Sequence, residues 1–203
     1  RANRRRLEAE ALWDAVHATA GTLNRAFGGP PVVPPLAADE IASLREKWHW
    51  TVSSDPAQHT RRGIYVMVRR NFKFPMFEVF DTPVTSVSCP VRDVTTVAPQ
   101  ALWSLNNGSV IRQATQLAGR VVKEAGEKSP AHIQRAWQIV LARPPTPKES
   151  SSALALLDSL EKTSQTELEH LPEALKKLPA PRRRALAKLC LALFNLNEFA
   201  FVD

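Results

Sequence analysis

Cysteine is nearly absent from this sequence, with two among 203 residues, and that scarcity excludes a disulfide-built scaffold. Glycine is scarce as well. Seven Gly stand against sixteen Pro, so the connections are stiff and delimited by proline. No apolar run approaches the roughly 18 residues that a membrane helix needs. The five His (His17, His49, His59, His132 and His170) never share one helical turn, and no Cys-x-x-Cys or Cys-x-x-Cys-His pair occurs. Neither structural zinc nor attached haem is therefore expected from this chain. Gly-rich phosphate loops, the Gly-x-Ser-x-Gly elbow and His-Glu-x-x-His are missing too. With 44% hydrophobic and 23% charged residues the chain cannot be wholly disordered. The sequence names no reaction.

Basic residues outnumber acidic ones, 27 to 20, for a net charge of +7. Such a balance serves solubility first and favours anionic partners second. Arginine concentrates in Arg4-Arg5-Arg6 and Arg182-Arg183-Arg184, each where a helix is expected to begin. Cations oppose the helix dipole there, so these residues pair with acids elsewhere or face an anionic partner. The chain opens without an initiator Met or a secretion signal and reads as a piece of a longer polypeptide. We expect a single domain over 1–203, with a loop- and hairpin-containing part (1–108) and a helical part (109–203).

Hydrophobic spacing predicts mainly helices. Leu12, Val16, Ala20, Leu23 and Phe27 form a stripe that predicts a helix from about Leu7 to Phe27, closed by Gly28-Gly29-Pro30-Pro31. A short helix is expected over Asp39–Lys47. Trp48, Trp50 and Val52, then Ile64, Val66 and Val68, alternate with other residues and predict a two-stranded antiparallel hairpin. Pro75 starts a short helix that buries Phe77 and Phe80, and Asp81 to Val94 is a long loop. Pro99 opens a helix ending near Leu105. A longer one starts at Ser109, with its stripe at Ala114, Leu117, Ala118, Val121 and Val122 and its stop at Gly126. Ser129-Pro130 caps the next, and Thr146-Pro147-Lys148-Glu149 is a capping box. Residues 161–181 are polar, broken by Pro172, Pro179 and Pro181, and read as an insertion. The last helix carries Leu186, Leu189, Cys190, Leu193 and Phe194, and Phe199 and Phe201 fasten the end. The fold class is mainly α: a helical bundle with a small antiparallel β-hairpin and a long ordered loop.

The densest polar stretch runs through Arg61-Arg62, Arg69-Arg70-Asn71, Asp81 and Arg92-Asp93. Guanidinium groups near Asp81 and Asp93 make bidentate pairs. They serve either an anion site or an internal ion-pair network that pins the long loop, and we favour the network. Cys89 sits in that loop beside Arg92. A free cysteine is expected to be buried, although Arg92 would activate an exposed one. Cys190 falls on an apolar stripe. A disulfide between the two is not decided by sequence. Gln100, Asn106 and Asn107 are amides at helix ends, suited to capping. Trp48 and Trp50 are the pair whose spacing suits a stacking platform, with core packing the commoner use.

Several motifs resemble one family. They are Arg4-Arg5-Arg6-Leu7-Glu8-Ala9-Glu10-Ala11 with Gly28-Gly29-Pro30, Arg61-Arg62-x-Ile64-Tyr65, Arg70-Asn71 and Phe80-Asp81-x-Pro83. Cys89-x-x-Arg92-x-x-Thr95, Ala98-Pro99-Gln100-Ala101-Leu102, Leu105-Asn106, Leu141-x-Arg143-x-Pro145-x-x-Lys148-Glu149 and Leu193-x-Asn195-x-Asn197-Glu198-Phe199 complete the set. Together they resemble the C-terminal half of the planctomycete surface domain, a family of unknown biochemical function found behind cytochrome-c-like domains in secreted proteins. The resemblance implies an extracytoplasmic location and haem c in an upstream domain, with no cofactor in this chain.

The expected function is a non-catalytic structural or interaction module of such a secreted, cytochrome-associated protein. Its partners would be other domains of the parent polypeptide, or an acidic glycan or protein. The candidate polar cluster is Arg61, Arg62, Arg70, Asn71, Asp81, Cys89, Arg92, Gln100 and Asn106. The alternative is a substrate-binding or catalytic part of an enzyme acting on acidic or sulfated glycans, coupled to a haem domain. That alternative requires Arg61, Arg62 and Arg92 to face an open pocket. Nucleic-acid binding through the two Arg runs is a weaker third reading.

Overall fold

Helix α5 (Gly108–Ala125) is the axis of the molecule, because its sequence lets neighbours come close on several sides. Ala114, Leu117, Ala118, Val121 and Val122 are buried along it. Gly119 admits the ring of Pro172, which would lie 2.5 Å from an added Cβ. Asn107 starts the helix by accepting from the N–H groups of Ser109 and Val110 at 2.9 and 3.3 Å. Gly126 stops it at φ 76°. In this computed structural model residues 4–43, 50–69, 72–85, 87–126, 128–164 and 167–202 are described.

Around α5 pack α1 (Ala9–Ala20), α4 (Ala98–Asn106), α6 (Ser129–Leu141), α8 (Glu173–Lys176) and α9 (Ala180–Phe194). Helix α7 (Pro147–Thr163) covers α6 and α9. Leu186, Leu189, Cys190 and Leu193 of α9 share one core with Ile133, Ala136 and Val140 of α6. Full burial of each such aliphatic side chain is worth about 1.5–3 kcal/mol. Thr146 and Glu149 form the expected capping box at the start of α7. The polar stretch expected as an insertion is fastened to the core: Leu175 and Leu178 are buried and Pro172 seats on Gly119.

Short helices α2 (Ala38–Ser43), α3 (Pro75–Val79) and α10 (Asn197–Ala200) complete the helical set. As expected, α3 begins at Pro75 and buries Phe77, with Phe80 buried just after it. The fold is mainly α, as the spacing predicts.

Two local expectations fail. Helix α1 ends at Ala20, not Phe27, because Gly21 takes a left-handed turn at φ 78°. The N–H groups of Thr22 and Leu23 fold back onto the carbonyl of His17, and Phe27 is left almost fully exposed. The predicted hairpin also does not form among the described residues. Val32 lies beside 65–67 instead, donating to the Tyr65 carbonyl and accepting from the Met67 N–H, both at 2.8 Å. Ser53 N–H pairs with the carbonyl of Val33. The proline-stiffened 30–35 segment is thus the extended partner that the alternating residues needed. The antiparallel pairing lies elsewhere: β1 (Arg5–Arg6) pairs with β2 (Phe201–Val202), which brings the two ends of the described chain together. Trp48 and His49, and the expected helix beyond Ser43, lie outside the described residues.

Candidate functional site: a clamped loop

The long loop from Asp81 to Val97 is held by side chains at both ends. Asp81 sits at φ 63°, a left-handed conformation that Asp tolerates better than most residues. Its carboxylate accepts from Arg6 Nη2 at 2.5 Å and from the N–H and hydroxyl of Thr95 at 2.8 and 2.9 Å. Arg6 is only 4% exposed. It also donates to the Thr95 and Leu7 carbonyls at 3.1 Å and lies 5.2 Å from the Phe80 ring centre. Gln100, buried on α4, donates to the Val79 carbonyl at 3.1 Å and to Thr95 Oγ1 at 3.2 Å. One carboxylate therefore joins the start of the loop, its end and β1. Partial burial works against the Asp81 charge, but the Thr95 donors and the Arg6 guanidinium outweigh it and hold the carboxyl below its ordinary range.

The middle of the loop is tied by Arg92, whose Nη1 reaches Glu10 at 2.8 Å and Glu8 at 3.0 Å at the start of α1. Cys89 is exposed, which corrects the expectation of burial, and its thiol donates to the Val91 carbonyl. Cys190 is fully buried and apolar surroundings push its thiol up. Both cysteines are free. Ellman's reagent is expected to modify one thiol in the native protein and two after denaturation, since the thiolate is the reacting form. Two equally fast thiols in the native protein would contradict this.

The remaining arginines have separate partners, which corrects the expected single cluster around Asp81 and Asp93. Arg61 is buried and serves the turn at 26–30: it donates to the carbonyls of Ala26, Gly28 and Pro30 and stacks 3.9 Å from the Tyr65 ring centre. Its own carbonyl accepts from Trp13 Nε1 at 2.8 Å. Arg62, half exposed, pairs with Asp14 at 3.0 Å. Asn106 is exposed and turns back to the Leu102 carbonyl. Asp93 is exposed. Arg70 and Asn71 lie outside the described residues. Sequence reasoning missed Asp14, Glu8 and Glu10 as the acids that take up these arginines. Their signal was three carboxylates within residues 8–14, at the start of α1 and directly after the Arg4-Arg5-Arg6 run.

Beside the Asp81 network lies an opening of about 100 Å³ lined by Arg6, Gln100, Trp103, Asn197 and Phe199 among others. Ligand pockets usually hold roughly 300–1,000 Å³, so this one suits solvent better than a sugar. Arg61, Arg62 and Arg92 do not line it. Among the described residues no three His, Cys, Asp or Glu come together as a metal site, and no helix is long and apolar enough to cross a membrane.

His17, on the buried face of α1, gives the fold a pH dependence. Burial lowers its pKa from 6.5 to about 4, against the opposing bond to the Trp13 carbonyl at 2.9 Å. The folded state therefore binds this proton more weakly than the unfolded one. The stability it contributes is complete above pH 6.5 and is lost as the pH falls toward 4. Between pH 7.5 and 5.5 that loss is about 1.4 kcal/mol. Urea melts at the two pH values check it, and His17→Phe is expected to reduce the difference to the part left by His132, whose pKa burial also lowers.

The deciding comparison is with families of known sequence pattern: residues 1–157 match the model of PSD1, a protein of unknown function (DUF1553). The chain belongs to that family. No curated protein and no solved structure matches it. The PSD1 match takes in the whole clamp, from Arg6 and Glu10 to Asp81, Arg92, Thr95 and Gln100, and ends inside α7.

Proposed function

We propose that this PSD1 chain is a non-catalytic interaction module whose clamped loop docks against another domain of its parent polypeptide. The observation that supports this most is where the loop puts its apolar residues. Val84, Val87, Val91, Val94 and Val97, with Leu102 just after them, are all exposed, Val87 to 68% and Val91 to 79%. A loop pinned at Asp81, Arg92 and Thr95 yet offering valines to solvent spends its polar groups on shape and its apolar groups on contact. Exposed apolar surface of this kind marks association sites, and a pre-shaped loop loses little entropy on docking. The family resemblance supports a wider setting, an extracytoplasmic parent with a haem-carrying domain upstream. The glycan-enzyme reading lacks the feature it requires, because Arg61, Arg62 and Arg92 are engaged by carbonyls and carboxylates.

Cys89 lies within the proposed contact and supplies the test. A photoreactive maleimide on Cys89 of the intact parent polypeptide is expected to cross-link to a segment outside residues 1–203. Changing Val87→Asp and Val91→Asp together should abolish the cross-link while stability stays within about 0.5 kcal/mol, as for other surface changes. A cross-link that survives both substitutions, or that stays within 1–203, defeats the proposal.

A further inference from the structure

The run Arg182-Arg183-Arg184 opens α9, where the helix dipole disfavours cations. Arg182 is accounted for by Glu161. Arg184 is not. Its carboxylate partner among the described residues is Glu167, 3.5 Å away and 84% exposed, a pair of little strength. Among the described residues Arg184 Nε is buried without a hydrogen-bond partner, and so is the hydroxyl of Ser164. Lys188 follows one turn later on α9 and has no ion pair or hydrogen bond among the described residues. Ser164, Arg184 and Lys188 all line one opening of about 270 Å³. The rest of its wall is mostly apolar, including Leu105, Ile111, Leu168 and Leu191.

We propose that this opening binds a compact monocarboxylic acid. The apolar body lies against the leucine and isoleucine wall, and the carboxylate meets Arg184 and Lys188, with Ser164 as a further donor. Each alternative chemistry leaves part of the site unmet. Inorganic phosphate or sulfate would leave the apolar wall wet. A neutral hydrocarbon would leave unpaired donors beside it, and a dicarboxylate would press a second charge against leucine. Charge-assisted hydrogen bonds to a carboxylate are about twice as strong as neutral ones, so the acid is preferred over its amide. The volume lies just below the usual range for ligand pockets, which favours a medium-chain or single-ring acid over a long-chain lipid. The proposal does not rest on the docking of the loop.

Octanoate is the probe. Titration followed by calorimetry and by amide NMR shifts is expected to saturate, with the largest shifts near Ser164, Leu168 and Lys188. Lys188→Gln should weaken binding by about 10-fold, the size of one good charged contact, and Lys188→Arg should restore most of it. Octanamide should bind at least about 10-fold more weakly than octanoate. Lys188 is partly exposed, so Lys188→Gln should melt with the wild type. Absence of saturable binding overturns the proposal. Equal affinity for octanamide, or unchanged affinity in a folded Lys188→Gln, does so as well.

Discussion

Asp81→Asn is expected to destabilise the protein by about 3 kcal/mol, the lower end for removing one partner of a buried ion pair. The asymmetry of burial sets the size. Arg6 is 4% exposed, so its charge keeps the protein carbonyls of Thr95, Leu7 and Phe80 but loses its carboxylate. Asn retains the left-handed conformation at φ 63°, so the loss measures charge rather than backbone strain. For a chain of this size the melting temperature should fall by about 6–12 °C. The effect has a pH signature. The folded carboxyl titrates below the ordinary value of 3.8, so its contribution is present above that value and disappears as the pH drops through the folded pKa. Wild type and variant are therefore expected to differ at pH 7 and to converge in acid. Arg62→Ala is the contrasting case. Its partner Asp14 is 3.0 Å away, but the arginine side chain is 52% exposed, so the change should stay under about 1 kcal/mol. Equal melting temperatures for wild type and Asp81→Asn would show that the loop is not held by this carboxylate.

The sequence made the helical half legible because its signals are local. The stripe of α5, the Thr146–Glu149 capping box and the Pro75 start each depend on residues within a turn or two. The misplaced features depend on distant partners. Trp50, Val66 and Val68 alternate as strand residues should, but alternation does not name the neighbour, and the neighbour of Val66 is Val32. The stripe through Leu23 and Phe27 continued past a glycine that ends the helix. The candidate site divides in the same way. Asp81 and Arg92 belong to the stretch expected to pin the loop, whereas Arg4-Arg5-Arg6 pointed only to acids elsewhere or to an anionic partner, so the part played by Arg6 was not legible. Nor was which acid takes which arginine. Arg6 and Asp81 lie 75 residues apart, a separation that no local pattern bridges. Cys89 was misjudged because burial statistics describe cysteines in cores, whereas this one lies on a loop whose polar groups are spent on its anchors.

Gly63→Ala is expected to cost about 3 kcal/mol, the upper end for overpacking, although it adds a single methyl group. Gly63 follows Arg62, and both are held by Asp14, which accepts from the Gly63 N–H at 2.6 Å. That bond draws the chain onto α1 so closely that an added Cβ would lie 2.8 Å from both Cα and O of Glu10. These are backbone atoms of a helix and cannot swing aside as a side-chain tip would. The turn at Gly63–Tyr65 must lift instead, which stretches the Asp14 bond and the contact of Trp13 Nε1 with the Arg61 carbonyl. Glu10 also binds Arg92, so the strain should reach the middle of the clamped loop. Gly21→Ala separates this cause from backbone strain. Gly21 is left-handed at φ 78° and ψ 18°, and an added Cβ there would meet only the Arg120 side chain at an ordinary 3.5 Å, so that variant pays conformational strain alone, about 1–2 kcal/mol. Thermal melts and Trp fluorescence of the two variants provide the comparison. If Gly63→Ala proves no worse than Gly21→Ala, the tight seat on α1 is not what fixes this turn, and the loop anchored through Glu10 loses its rigid base.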